Sequence, residues 1–359
     1  ETVFKQLQSG YKVNACYGGH SMSVEKNNFK NPPKVLVGTP GRILDHMNRH
    51  TFETKAINTL IIDEFDKCLE RGFKEEMKKI VRALRPTKTV LTSATDLLDI
   101  PPFTKVEDPV TLNYLSENNN KDDNLTIRAV HSPERDKLDV LGKLLKEIAD
   151  EPTIVFCNRK DAIERVADYL FDNHLEAVCF HGNLDQDERE RAIVKFKNHS
   201  ANILLCTDLA SRGLDIDDIK NIVHYHLPHQ QDVFTHRNGR TARMQNKGNA
   251  FLIFAPEETL TLDKNLSFEE YEFTHETKYK DPEYDTFYIS KGKKDKINKM
   301  DIVGFFYKQM ELKKDELGII VVKDFCAYVG IKNSARETIF RKAEKQKIKG
   351  KSVKIELAR

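Results

Sequence analysis

Short apolar runs that stop abruptly at a polar or glycine residue recur along the chain. Lys34-Val35-Leu36-Val37-Gly38, Thr59-Leu60-Ile61-Ile62-Asp63 and Thr89-Val90-Leu91-Thr92-Ser93 lie in the first third, and similar runs occupy 153–157, 177–181, 202–206, 221–225 and 250–254. Unbroken aliphatic runs of this length predict strands buried on both faces. Between them, Leu138, Leu141, Leu144, Leu145 and Ile148, then Ile163, Val166, Ala167 and Leu170, repeat at helical spacing. Strands alternating with helices predict parallel sheets covered on both sides, because a parallel crossover needs a connection of that length. The pattern occurs twice, and the polar stretch 116–124 between the halves can bury nothing and reads as a linker.

A second break spans 257–285, where acidic residues alternate with aromatics and Asp281-Pro282 punctuates the run. Beyond it the pattern predicts strand (286–290), helix (300–308), strand (318–323), strand (326–331), helix (334–345) and strand (353–357), the order of a small βαββαβ sandwich. The fold class is therefore α/β, with two parallel-sheet domains and a small third one. The divisions fall at 1–115, a linker 116–126, 127–256, a second linker 257–285, and 286–359.

The 359 residues exceed what one core serves, in keeping with several domains. No apolar run approaches the twenty residues a bilayer requires, and Glu1-Thr2-Val3-Phe4-Lys5 lacks the pattern of a secretory signal, so a cytoplasmic protein is expected. Six cysteines form no C-x-x-C pair, which points to neither disulfides nor zinc. The net charge of +2 conceals an asymmetry. Residues 286–359 hold 19 Lys and Arg against 9 Asp and Glu, or +10, while the rest carries 39 against 47, or −8. A basic segment of this kind attracts a polyanion, and no amphipathic apolar stripe accompanies it to favour a membrane surface over nucleic acid.

Ligands of open parallel sheets sit at the carboxyl ends of strands. Asp63-Glu64 follows an apolar run there, where one carboxylate can hold hydrated Mg2+ and the other can orient a water attacking a terminal phosphate; a strand ending in solvated acids is the plainer reading. Ser93-Ala94-Thr95 and Cys206-Thr207-Asp208 end other runs, and Arg237, Arg240 and Arg243 fall three apart, suited to charge on a transferring phosphoryl group or to salt bridges on an exposed helix. His224, His226, His229 and His236 lack an adjacent cysteine or carboxylate to complete a metal site.

Thr39-Pro40-Gly41-Arg42, Asp63-Glu64-Phe65-Asp66, Ser93-Ala94-Thr95, Cys206 through Asp215, and His236-Arg237-Asn238-Gly239-Arg240-Thr241-Ala242-Arg243 resemble, in order, the motif series of DEAD-box ATP-dependent RNA helicases. The resemblance runs from about Gly18-Gly19 to Phe254 and implies two RecA-like domains acting on ATP, Mg2+ and RNA. It gives Asp63 the Mg2+ through water, Glu64 the hydrolytic water, Arg240 and Arg243 the γ-phosphate, and Gly213 and Asp215 the nucleotide. Asp66, Ser93, Thr95, His236 and Arg237 would couple nucleotide to RNA, while Gly18, Gly19, Thr39, Gly41, Arg42 and Thr207 would grip the RNA backbone.

No G-x-x-x-x-G-K-[ST] occurs anywhere in the chain. The family's glutamine motif and first RNA-contacting motif would precede Glu1, so the first RecA-like domain is expected to be incomplete and this chain alone to turn ATP over poorly. Phe65, Asn238 and Ala242 replace the family's usual alanine, isoleucine and glycine, for which altered packing is expected. The tail, through 287–292, 301–304 and 348–355, resembles the RRM-like RNA-binding domain of DbpA-type helicases. That resemblance implies Tyr328 as an RNA contact, structured ribosomal RNA as the target and large-subunit assembly as the setting. The charge of the cluster Lys345, Lys347, Lys349, Lys351 and Lys354 makes those lysines expected RNA contacts, with a solvated basic edge as the plainer reading, and a monomer is expected. A non-enzymatic RNA-binding chaperone or scaffold is the competing reading; a DNA helicase is a third, disfavoured by the 63–66 tetrad and the tail.

Overall fold

A computed structural model describes residues 4, 7, 10–19, 21–70, 72–93, 100–113, 124–208, 216, 219–242, 247–262, 266–343 and 346–358. The chain divides into two compact units, Glu1–Asn119 and Asn120–Arg359.

In the first unit, β1 (Val13–Cys16) pairs in parallel with β2 (Val35–Gly38), Cys16 opposite Gly38, and β3 (Thr59–Ile62) pairs in parallel with β4 (Lys88–Leu91), Ile62 opposite Leu91. Among the described residues four α-helices accompany them: α1 (Met22–Phe29), α2 (Pro40–Asn48), α3 (Phe65–Glu70) and α4 (Lys74–Leu84). Met77, Ile80, Val81 and Leu84 form the buried stripe of α4, at the spacing of one helical face, and Ile80 and Leu84 pack with Met47. The expected two-faced burial of these strands does not hold. Ile61 is 60% exposed and Val37 39%, so the runs that ended in motif residues are half-covered here.

The second unit meets that expectation. Its seven-stranded parallel sheet runs β11-β5-β10-β9-β6-β8-β7, built from β5 (Leu125–His131), β6 (Thr153–Phe156), β7 (Ala177–Phe180), β8 (Ile203–Cys206), β9 (Asn221–His224), β10 (Gly248–Phe254) and β11 (Glu269–Glu270). Successive residues go to opposite faces: Val155 joins the core formed with α5 (Leu138–Ile148) and α6 (Lys160–Asp172), while Ile154 and Phe156 join the one formed with α7 (Gln186–Lys197). Helix α8 (Gln231–Asn238) carries His236 and Arg237, the start of the arginine motif.

The segment 257–285 is not the loose linker that its composition suggested. Within it β11 pairs with β5, and Tyr271, Phe273 and Tyr279 pack onto the α5/α6 core. Buried Glu147 accepts hydrogen bonds from the Tyr271 hydroxyl (2.8 Å) and from the backbone N–H groups of Thr274 (3.1 Å) and His275 (2.7 Å). These bonds hold the Glu147 carboxyl below its ordinary range against the opposing effect of burial.

The tail folds as expected, with one addition. Strands β12 (Tyr284–Ile289), β13 (Leu317–Val322), β14 (Ala327–Lys332) and β17 (Ile355–Leu357) form an antiparallel sheet in the order β13-β14-β12-β17. Helices α9 (Lys299–Lys308) and α10 (Arg336–Lys342) cover one face, burying Phe287, Ile302, Phe306, Val329 and Ile339, and a hairpin of β15 (Lys347–Ile348) and β16 (Lys351–Ser352) intervenes before β17. The other face lies against α7: Tyr328 packs with Val194 and Ala358, Lys323 pairs with Glu190 at 2.8 Å, and Asn198 Nδ2 donates to Thr286 Oγ1. A Cβ on Gly330 would stand 2.9 Å from Asn198 Oδ1, so glycine permits this approach.

Candidate active site and nucleic-acid interface

Asp63 and Glu64 emerge directly from the carboxyl end of β3. The Thr92 hydroxyl, just past β4, and the Glu64 N–H (3.0 Å) both donate to Asp63 Oδ1, which fixes an exposed carboxylate by one oxygen. The donor set, hard and facing solvent, suits Mg2+ held through water. Glu64 takes a left-handed backbone, φ +49°, a strain of about 1–2 kcal/mol for a non-glycine residue and typical of functional turns. The bulk of Phe65, which stands at the family's usual alanine, turns inward: the ring is fully buried, 6.5 Å from the Phe103 ring. Asp66 is buried in the first turn of α3, and Ser93 is half-buried just beyond β4. Thr95 lies outside the described residues.

The glycines of the first unit separate into two kinds. A Cβ on Gly38 would meet Cys16 O at 2.7 Å, so the fold itself requires glycine there. Gly18 and Gly41 meet nothing within 4 Å and are exposed, so the space their missing side chains leave is open to an outside molecule. They follow adjacent paired strands, and Thr39 N–H donates to Cys16 O at 3.2 Å, which ties the two segments together. Gly19 needs its own freedom, with φ +88°. Thr39 is the N-cap of α2 but makes no side-chain cap bond, and Pro40 begins the helix, leaving the N–H groups of Gly41 and Arg42 at a helix N-terminus where anions bind. Arg42 donates from Nε to Glu25 Oε2 at 2.7 Å.

In the second unit the two described arginines of the motif, Arg237 and Arg240, separate by burial. Arg237 is 2% exposed and spends every donor: Nε and Nη2 on the two oxygens of Asp208 (2.6 and 2.8 Å), Nη2 also on Asn158 Oδ1 (2.9 Å), and Nη1 on His226 O (2.7 Å) and His224 Nδ1 (3.3 Å). It sits over the Phe156 ring at 5.0 Å. Its guanidinium is thus an internal cross-link that orients the segment carrying Thr207. Burial, followed by the charge of Arg237, pushes the His224 imidazole down to about 3. Neutral His224 accepts from Arg237 at Nδ1 and donates from Nε2 to Asn238 Oδ1 at 3.0 Å. This accounts for Asn238 at the usual isoleucine: it supplies the acceptor that a buried histidine requires. His226 is likewise pushed down to about 4, first by burial. Arg240 is half-buried just past α8, and half-buried His236 keeps a buried Nδ1 with no partner among the described residues. Ala242, at the usual glycine, adopts φ +52°, the backbone a glycine would take freely. Arg243, Gly213 and Asp215 lie outside the described residues.

The tail corrects one expectation and enlarges another. Tyr328 is 5% exposed, its ring turned onto Val194 and 5.8 Å from the Tyr288 ring, so it offers no stacking platform to RNA in this arrangement. Lys347, Lys349 and Lys351 are exposed on the β15–β16 hairpin, whose turn runs through Lys349 (φ +53°) and Gly350 (φ +78°). Lys349 Nζ donates to Lys296 O at 3.1 Å, joining the hairpin to a second basic turn with exposed Lys293, Lys294 and Lys296. Those lysines were missed as site residues, although the string Lys291-Gly292-Lys293-Lys294 carried the signal.

Residues 1–96 match the DEAD/DEAH box helicase family, 136–245 the helicase conserved C-terminal domain, and 286–357 the DbpA RNA binding domain. ATP-dependent RNA helicase DbpA of Escherichia coli is 30% identical over 356 residues, 96% of this chain and 78% of the relative. Its Bacillus subtilis namesake is 29% identical over 385 residues, 97% and 79%. The solved structure of S. cerevisiae Dbp5 bound to RNA and ADP BeF3 aligns with a TM-score of 0.58 at 27% identity, over 68% of this chain and 64% of that one, so the chain spans just under two thirds of it. Identity of 30% over nearly the whole chain and more than three quarters of the relative, together with the three matched family segments, shows that the chain belongs to the DbpA-type DEAD-box ATP-dependent RNA helicases.

Proposed function

We propose that the protein hydrolyses ATP to unwind or remodel structured RNA locally, in the cytoplasm, as a monomer, and that its target is ribosomal RNA during large-subunit assembly. The observation that carries the enzymatic part is the acid pair of β3, with Asp63 fixed by Thr92 and Glu64 held on a strained backbone. Asp63 would hold Mg2+ through water, and the ion supplies charge neutralisation on the phosphates. Glu64 orients the attacking water and takes its proton, while Arg240 and Arg243 meet charge on the terminal phosphate and Gly213 and Asp215 contact the nucleotide. Asp66, Ser93, Thr95, His236 and Arg237 link that chemistry to RNA, which Gly18, Gly19, Thr39, Gly41, Arg42 and Thr207 hold by its backbone. Backbone contacts carry no base information, so target choice falls to the tail.

Support for the tail's role comes from the two facing lysine turns, a cluster suited to counterion release from an RNA backbone. The ribosomal target rests on the resemblance to DbpA-type helicases. Unwinding requires ATP and RNA together to favour one arrangement of the two units, since a ligand indifferent to both shifts nothing. In the native gene product, Glu64→Gln should retain ATP and RNA binding and abolish RNA-stimulated ATP hydrolysis. Undiminished turnover in a phosphate-release assay would refute the role given to Glu64.

A further inference from the structure

A buried carboxylate lies behind the RNA-facing segments of the first unit, on a residue that no helicase motif contains. Glu25 of α1 is 3% exposed and bonds to two other stretches of chain, the turn after β1 and helix α2. Its Oε2 accepts from Arg42 Nε and from His46 Nε2, both at 2.7 Å, and its Oε1 accepts from the Tyr17 N–H at 3.4 Å. His46 is fully buried; its Nδ1 meets the Thr51 hydroxyl at 2.8 Å, and its ring stands edge-on to Phe29 at 4.9 Å. Tyr17 immediately precedes Gly18-Gly19, and Arg42 immediately follows Gly41.

Burying a carboxylate is costly unless every strong partner is supplied, and here two charge-assisted bonds are. A core would be served more cheaply by apolar residues at 25 and 46, so the network's distinguishing property is geometric. One rigid anion joins α1, the first turns of α2 and the turn after β1. The Arg42 side chain is 16% exposed, with Nη1 3.9 Å from Asp45 Oδ2, so the fork is held at its inner edge while part of it reaches the surface.

We propose that Glu25 is a positioning residue for RNA: its carboxylate, braced by His46 and Thr51, fixes the Gly18-Gly19 turn and the Gly41-Arg42 helix start at one spacing, so that both present their open faces to the backbone of a single RNA strand. This rests on the RNA-binding role proposed above for those segments. Removing the anion lets Arg42 swing outward and loosens both segments, which lowers the fraction of molecules ready to bind.

The test uses Glu25→Gln in the native gene product, with two independent readouts. Amide hydrogen exchange at residues 17, 39 and 43, whose N–H groups are bonded to Glu25, Cys16 and Thr39, should quicken at least several-fold, while exchange in the second unit stays unchanged. In RNA-stimulated ATP hydrolysis with an oligouridylate strand, the RNA concentration for half-maximal rate should rise about tenfold, while kcat at saturating RNA and KM for ATP hold. Glu25→Asp, which keeps the charge, should recover part of the RNA affinity. Unchanged exchange at these three amides overturns the network's positioning role. Quickened exchange with unchanged RNA half-saturation, or a fall in kcat and ATP affinity together, overturns its connection to RNA. An unmodified protein with no RNA-stimulated turnover fails the functional reading instead, and leaves the exchange result to judge the network by itself.

Discussion

Arg237→Lys should damage the second unit's stability more than any comparable change at Arg240. The guanidinium, itself 2% exposed, places five donors on four acceptor residues. A lysine has three donors, no planar fork for Asp208 and weaker stacking on Phe156. At least one of Asn158 Oδ1, His226 O and His224 Nδ1 then lacks a donor, at about 1–3 kcal/mol each, and the paired bond to Asp208 is reduced to one. The sum is about 2–4 kcal/mol, or a melting point lower by roughly 5–15 °C for a unit of this size. Urea and thermal melts of Arg237→Lys beside Arg240→Lys read the difference. Because both partners sit in one network, Arg237→Lys and Asp208→Asn should be non-additive by about 1–2 kcal/mol. If Arg237→Lys melts with the unmodified protein yet loses ATP turnover, the residue works on the nucleotide and its description as a cross-link fails.

Two further outcomes follow from the same region. Ala242→Gly should raise stability by about 1 kcal/mol, since it removes the left-handed strain at φ +52°; a lower melting point would show that the alanine methyl contributes packing that outweighs it. His224 is held neutral down to about pH 3, whereas in the unfolded chain it protonates near 6.5, so below pH 6.5 the unfolded state binds the extra proton. Stability from this group is complete above pH 6.5 and is lost as pH falls toward 3, at up to about 1.4 kcal/mol per pH unit. His224→Gln should flatten that part of the stability profile, and an unaltered slope would assign the acid sensitivity elsewhere.

The strands of the second unit were legible because 153–156, 203–206 and 221–224 are apolar on both faces and are buried so. In the first unit equally apolar runs face solvent on one side, a distinction that composition does not carry. Motif strings located Asp63, Glu64 and the arginines by order alone, but spacing could not show that Arg237 would be the one consumed internally, since its partners Asp208 and Asn158 lie 29 and 79 residues away. Alternation along β14 puts Tyr328 on the face away from the helices, as on an RNA-stacking sheet; what covers that face, Val194, belongs to another domain. Acid and aromatic alternation over 257–285 looked like a tether for a similar reason: its anchor is Glu147, 124 residues before Tyr271.

That anchored stretch bears on how the molecule can be dissected. Strand β5 would present an open hydrogen-bonding edge if β11 were cut away, and Tyr271, Phe273 and Tyr279 would leave part of a hydrophobic core wet. A recombinant helicase lobe ending at the conventional motif boundary near 256 therefore invites self-association through that edge, whereas one carried to 281 keeps its own seal and should remain dispersed at concentrations useful for NMR.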